Sequence, residues 1–226
     1  MNNMTKKQFA EIICKTFNLK GITSNSFVYV INCTLMGIVT VKVPGRNAYK
    51  IYFTIFPLWK ATLKECLEIP LFQQAIVDTK NLDIYLPENM TEEDISFILH
   101  QCVLQIPFIP AKDITSLDII KFLYNKIIED PGISGNFVLE MKVYTLIYNI
   151  ALICNDYKSA ENVYEQISQN INKWDDAIFR YWFGDKKNYL ERLQEYDSNR
   201  INLQINIQNN LLNPKISKLP KYEFLD

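Results

Sequence analysis

"VKVPGRNAYKIYFTIF", Val41 to Phe56, reads as two strands around a Pro-Gly turn, and it holds three positive charges and no negative one. Short runs of β-branched and aromatic residues bounded by turn residues favour strands. Working outward, "SFVYVIN" (Ser26 to Asn32), "IVTVKV" (Ile38 to Val43) and "YKIYFTIF" (Tyr49 to Phe56) give an antiparallel meander. Val39, Val41 and Val43 share one face of their strand, and Tyr49, Ile51, Phe53 and Ile55 share one face of the next. Because a one-residue slip reverses every side chain, these sets oppose each other only if paired residue numbers sum to an even value such as 90. Val41 then faces Tyr49 across an odd loop such as Pro44-Gly45-Arg46 with a bulge, rather than a two-residue type II turn that would splay the strands. Lys42 and Lys50 fall with Tyr52 on the reverse face, beside Arg46 at the tip. That face either meets an acidic partner or is covered by the acidic remainder of the chain.

The chain has 226 residues, 48% of them hydrophobic and 22% charged, with net charge −1, the composition of an ordinary folded protein. The charge is unevenly placed. Met1 to Lys64 carries nine Lys/Arg and one acid, whereas Glu65 to Asp226 carries fifteen and twenty-four. Five cysteines (Cys14, Cys33, Cys66, Cys102, Cys154) are odd in number, scattered and never in a C-x-x-C pair, so reduced thiols are expected rather than a disulfide framework or zinc site. Glu11 and Lys15 interrupt any signal-peptide core after Lys6 and Lys7. The longest apolar stretch, "VYTLIYNIALIC" from Val143 to Cys154, falls short of the ~20 residues that span a bilayer. A cytoplasmic protein without a membrane segment is expected.

Before the meander, Thr5 and Gln8 form a capping-box pattern, with Phe9, Ile12, Ile13 and Phe17 at helical spacing. After it, "TLKECLEI" and "LFQQAIV" suggest short helices, and "LDIYLP" (Leu82 to Pro87) alternates as a fourth strand. The pattern then becomes helical. Thr91 and Asp94 cap a helix with the stripe Ile95, Ile98, Leu99, Cys102, Val103 and Ile106, ended by Pro107 and Pro110; a second helix runs from about Ser116 to Glu129, burying Ile120, Leu123, Tyr124 and Ile127. "DDAIFRYWFGDKKNYLERLQEY" reads as two helices broken at Gly184-Asp185. "INLQINIQ" (Ile201 to Gln208) alternates with period 2, which argues strand, while its continuity with the helix before it argues helix. The order predicts an α+β fold: an N-terminal helix and antiparallel sheet in residues 1–88, then a mainly helical part in 89–226 packed on it.

The sequence offers little chemistry. His100, the lone histidine, lies beside an apolar stripe with no metal-ligand spacing around it. No nucleophile elbow and no glycine-rich phosphate loop occur, and the paired acids of "TEEDI" and "WDDAI" suit helix N-termini. No catalytic residue, metal or cofactor is expected. Two stretches carry the residue types of binding surfaces. Lys42, Arg46, Lys50, Tyr52 and Trp59 interleave cations with aromatics, which suits phosphate contact and base stacking. In "FRYWFGD" (Phe179 to Asp185), Arg180 and Tyr181 are residue types enriched at protein interfaces, and Trp182 is expected to pack with Ile178 in the core.

"YTLIYNIALICNDYKSAENVYEQISQNI", Tyr144 to Ile171, resembles one tetratricopeptide-type helical hairpin, through its "NDY" turn followed by Ala160, Tyr164 and Ile167. The first-helix Leu-Gly pair of that repeat is replaced by Ile147 and Tyr148. "KKQFAEIICKTF", "FVYVIN" and "WFGDKKNYLERL" together resemble uncharacterised bacterial proteins related to polymorphic-toxin immunity proteins. The resemblance implies a non-catalytic cytoplasmic module that binds another protein, a toxin domain, by surface complementarity. A nucleic-acid binder using the basic hairpin and an enzyme without a recognisable motif are the alternatives.

Overall fold

The computed structural model describes residues 4–87, 90–109 and 111–225. Helix α1 (Lys6–Phe17) starts at the predicted capping box: Gln8 N–H donates to the Thr5 side chain, and Thr5 N–H donates to Gln8 Oε1 at 2.8 Å. It buries Phe9, Ile13 and Phe17, one residue per turn, and closes on Asn18 in the left-handed region (φ 50°). Strands β1 (Lys20–Thr23), β2 (Ser26–Ile31), β3 (Thr34–Lys42), β4 (Ala48–Pro57) and β5 (Phe72–Ala75) follow as an antiparallel meander, with α2 (Leu63–Glu68) between the last two. Strand β6 (Tyr85–Pro87) pairs with β4, and β7 (Lys221–Tyr222) runs parallel to β2. Helices α3 (Glu92–Gln105), α4 (Ser116–Glu129), α5 (Phe137–Ile153), α6 (Tyr157–Ile171), α7 (Asp176–Phe183), α8 (Lys186–Ser198) and α9 (Arg200–Leu212) make up the rest. The α+β architecture is the one predicted. No helix among the described residues is long and apolar enough to cross a membrane.

The chain forms two compact units, neither continuous in sequence. The first takes residues 1–56, 73–114 and 211–225; the second takes 57–72, 115–210 and 226. Grouped this way the charges nearly even out. The first unit has twelve basic and nine acidic residues, the second twelve and sixteen. Acids such as Asp78, Asp83 and Glu92 belong with the basic N-terminal segment.

In the first unit, β2 and β3 pair from Ser26↔Val39 to Ile31↔Thr34 around a two-residue turn with Asn32 at φ 48°. Gly37 lies opposite Val28, where a Cβ would stand 2.1 Å from the Phe27 carbonyl oxygen and 2.7 Å from Val28 Cα, so no other residue fits that approach. The next hairpin departs from expectation. Arg46 N–H donates to the Val43 carbonyl (3.2 Å) with Gly45 at φ 73°, inside a four-residue loop closed by Val43 N–H to the Ala48 carbonyl (3.0 Å). That pair sums to 91, so the register is odd. Ile51, Phe53 and Ile55 share the interior with Met36, Ile38 and Thr40, while Val41 is 43% exposed. The strand begins at Thr34, four residues earlier than its valines suggested, and the earlier apolar residues fill the core.

Two further segments differ from the sequence reading. "LFQQAIV" forms β5 instead of a helix, because β4 offers it an open edge: Ile76 N–H donates to the Ile51 carbonyl at 2.9 Å. In α3 the buried positions are Ile95, Ile98, Gln101 and Cys102, and Val103 is 51% exposed. Gln105 turns inward from the same helix to hydrogen bond both backbone groups of Val77. The predicted stop at Pro110 lies outside the described residues.

In the second unit, α5 and α6 form the expected helical hairpin across Cys154-Asn155-Asp156, with Asn155 at φ 60° and Asp156 capping α6 through Ser159 N–H. Tyr148 OH donates to the Leu193 carbonyl (2.8 Å) and the Tyr189 and Thr145 hydroxyls meet at 2.6 Å, which seats α8 on α5. The alternating "INLQINIQ" is helix α9. Leu203 and Ile207 are buried one turn apart, Ile201 and Ile205 are exposed, and Asn206 and Asn210 line up on one side. Asn210, 4% exposed, donates to the carbonyls of Leu58 and Lys60, both at 2.9 Å, and Asn206 to that of Trp59. Those loop carbonyls, with no strand to pair with, decide the helix.

Candidate functional site

Of the seven residues singled out from sequence, Lys42, Arg46, Lys50 and Tyr52 belong to the first unit and Trp59, Arg180 and Tyr181 to the second. Trp59 is 4% exposed, so its ring offers no stacking platform. In the β3–β4 hairpin the odd register sends Lys42 and Lys50 to opposite faces. Lys50 pairs with Tyr85 of β6 across the sheet, forms an ion pair with Asp83 and lies 5.5 Å from the centroid of the Tyr85 ring. Its hydrogen bond to Asp83 raises the lysine pKa. Arg46 takes the same ring at 5.4 Å. Tyr52 is half-buried and Lys42 exposed. Two of the three cations are thus occupied by Asp83 and Tyr85, and the assembled basic aromatic face does not form.

Helix α7 is the contrasting case. Asp175 caps it by accepting from Ala177 and Ile178 N–H, and Gly184 ends it at φ 83°, a conformation that strains other residues. Asp185 then caps α8 through Lys187 and Asn188 N–H. The corner is cross-braced. Lys186 donates to the Trp174 carbonyl at 2.7 Å and pairs with Asp176, whose carboxyl it holds below the usual range, while Arg192 donates to the Phe183 carbonyl at 2.9 Å. Beneath lies an aromatic cluster. Phe179 is fully buried, with ring centroids 5.6 Å from Trp174, 5.3 Å from Phe183 and 5.5 Å from Tyr189. Burial pushes the Tyr189 hydroxyl up to about 12.

Because the inward side of α7 is filled by Phe179 and Phe183, its remaining large residues point out. Tyr181 is 80% exposed, and Trp182 and Ile178 are each 55% exposed. This overturns the expectation that Trp182 packs with Ile178 in the core: they do share a side of the helix, but the outer one. The Tyr181 and Trp182 rings meet edge to face at 5.2 Å. Arg180 stands exposed beside them, 4.0 Å from Asp185. The arrangement is a solvent-facing cluster of aromatic and aliphatic side chains flanked by charge.

His100 is exposed on α3, and no group of three or more His, Cys, Asp or Glu among the described residues is placed to hold a metal ion. Cys33, Cys66 and Cys102 are buried, and Cys14 and Cys154 are partly exposed. Comparison with protein-family models, curated proteins and solved structures returned no match.

Proposed function

We propose that this chain is a non-catalytic protein-binding module of the immunity type, acting in the cytoplasm, and that it engages a toxin domain through the outward side of α7. The observation that carries the reading is the exposure of Tyr181, Trp182 and Ile178 together on a helix whose inner side is locked by aromatic packing. Tyr, Trp and Arg dominate interface hot spots because they bring large contact area at low entropic cost, and α7 presents one of each in sequence. The internal pairing of Lys50 and the burial of Trp59 weigh against the nucleic-acid alternative.

The test is to purify the chain together with the products of its neighbouring genes, isolate any toxin domain that it retains and measure that complex by calorimetry. A one-to-one complex is expected, with Tyr181→Ala and Trp182→Ala each weakening it by about 2 kcal/mol or more. Because both side chains are exposed, stability should change by only about 0.5 kcal/mol. No complex, or turnover of a substrate by the chain alone, defeats the reading.

A further inference from the structure

The α5–α6 hairpin and α8 enclose a pocket of about 330 Å³ that the α7 surface does not use. Its floor is apolar and buried, formed by Tyr148, Leu152 and Ala160, and Tyr164 and the exposed Tyr157 supply two more rings. The ionisable groups at its rim are the carboxylates Glu161 and Asp197. Tyr148 donates to the Leu193 carbonyl at 2.8 Å, Tyr157 donates to Asn155 Oδ1 at 3.1 Å, and the Tyr164 oxygen accepts at 2.8 Å from Nε2 of Gln194, which also lines the pocket. The Tyr148 and Tyr164 ring centroids lie 6.3 Å apart at 41°.

Aromatic faces carry negative potential and attract cations, most strongly where water is partly excluded. The chain uses this property beside the pocket. Arg200 places its guanidinium carbon 4.5 Å from the Tyr157 ring centroid and its Nε 3.4 Å from Asp197 Oδ1, so a cation sits at the mouth. Glu161 forms no ion pair among the described residues. The volume lies at the low end of small-ligand pockets and is ample for a branched ammonium head.

We propose that this pocket binds an alkylammonium group, with the three tyrosines as walls, Glu161 as the balancing charge and Arg200 as an internal competitor at the entrance. The group can arrive as a lysine or methylated lysine side chain on a partner or as a free small amine. The site is independent of α7 and stands whether or not the toxin-binding reading does.

The experiment titrates the intact chain, by calorimetry or tyrosine NMR shifts, with choline, with its uncharged carbon isostere 3,3-dimethylbutan-1-ol, and with a trimethyllysine peptide. The ammonium compounds should bind roughly tenfold or more tightly than the isostere. Glu161→Gln should weaken choline binding by roughly three- to thirtyfold with melting unchanged, and Arg200→Gln should strengthen it by freeing Tyr157 and Asp197. A peptide binding better than choline assigns the site to a protein partner, and the reverse assigns it to a free amine. Equal binding of choline and its isostere, or no ammonium binding by either the wild type or Arg200→Gln, overturns the proposal.

Discussion

The β3–β4 hairpin and helix α7 have similar composition, each mixing cations with aromatics near a Gly turn, yet the fold treats them in opposite ways. In the hairpin, a short strand far along the chain brings Asp83 and Tyr85 to Lys50 and Arg46, and the cations are absorbed within their own unit. At α7 the aromatic demand of the core is met by Phe179, Phe183, Trp174 and Tyr189, and Tyr181 and Trp182 are left over. Residue type nominates a surface. Whether neighbours have already consumed its interactions decides whether it is free to bind.

That contrast can be broken at several points. The largest effect is expected from Phe179→Ala, which removes the fully buried ring beneath α7 and should cost about 3–5 kcal/mol in urea unfolding. A loss near that of an exposed residue would mean that α7 is not anchored as described. Gly37→Ala comes next. Its methyl must displace the Phe27 and Val28 backbone, and a loss of about 3 kcal/mol follows, without any change in charge.

The third prediction concerns alkaline pH. Tyr189 is held neutral up to about 12 in the folded chain, whereas an unfolded tyrosine ionises near 10. Since the folded pKa is the higher one, its stabilising contribution is whole below about pH 10 and is lost as pH rises from there toward 12. The melting temperature should fall across that window, and less steeply in Tyr189→Phe. An equal slope in the variant would remove Tyr189 from the explanation. The smallest effect is Lys50→Met, which deletes a partly exposed ion pair. A slight drop in melting temperature is expected at low salt and none in molar salt; a salt-independent loss would show that packing, not charge, fixes the hairpin.

Local signals in the sequence located most elements. The Thr5/Gln8 and Thr91/Asp94 capping boxes, the break at Gly184-Asp185 and the hairpin turn at Asn155 all encode their structure within four residues, and the fold class followed from their order. The misreadings fall where distant chain segments decide. β5 becomes a strand only because β4 has a free edge, and α9 is a helix because Asn206 and Asn210 find the carbonyls of the 58–60 loop. The hairpin register was misjudged because the apolar run starting at Thr34 fills the interior before Val41 is reached. Arg180 and Tyr181 stand out by residue type and are exposed, whereas the exposure of Trp182 required knowing that Phe179 and Phe183 already occupied the inside. The tyrosine pocket could have been suspected from Tyr148, Tyr157, Glu161 and Tyr164 on α5 and α6, but the Gln194 and Asp197 that α8 brings to it could not.

The parallel pairing of β7 with β2 bears on how the protein is born. Val30 and Asn32 give their N–H groups to Pro220 and Tyr222, on the edge of β2 that β1 leaves uncovered farther along. A ribosome releases residues 26–31 long before residues 220–222 exist, so the emerging chain carries an incompletely paired strand edge while residues 32–219 are made. Such edges recruit other chains. The first unit can close only as translation nears Tyr222, and until then its protection must come from speed or from a chaperone.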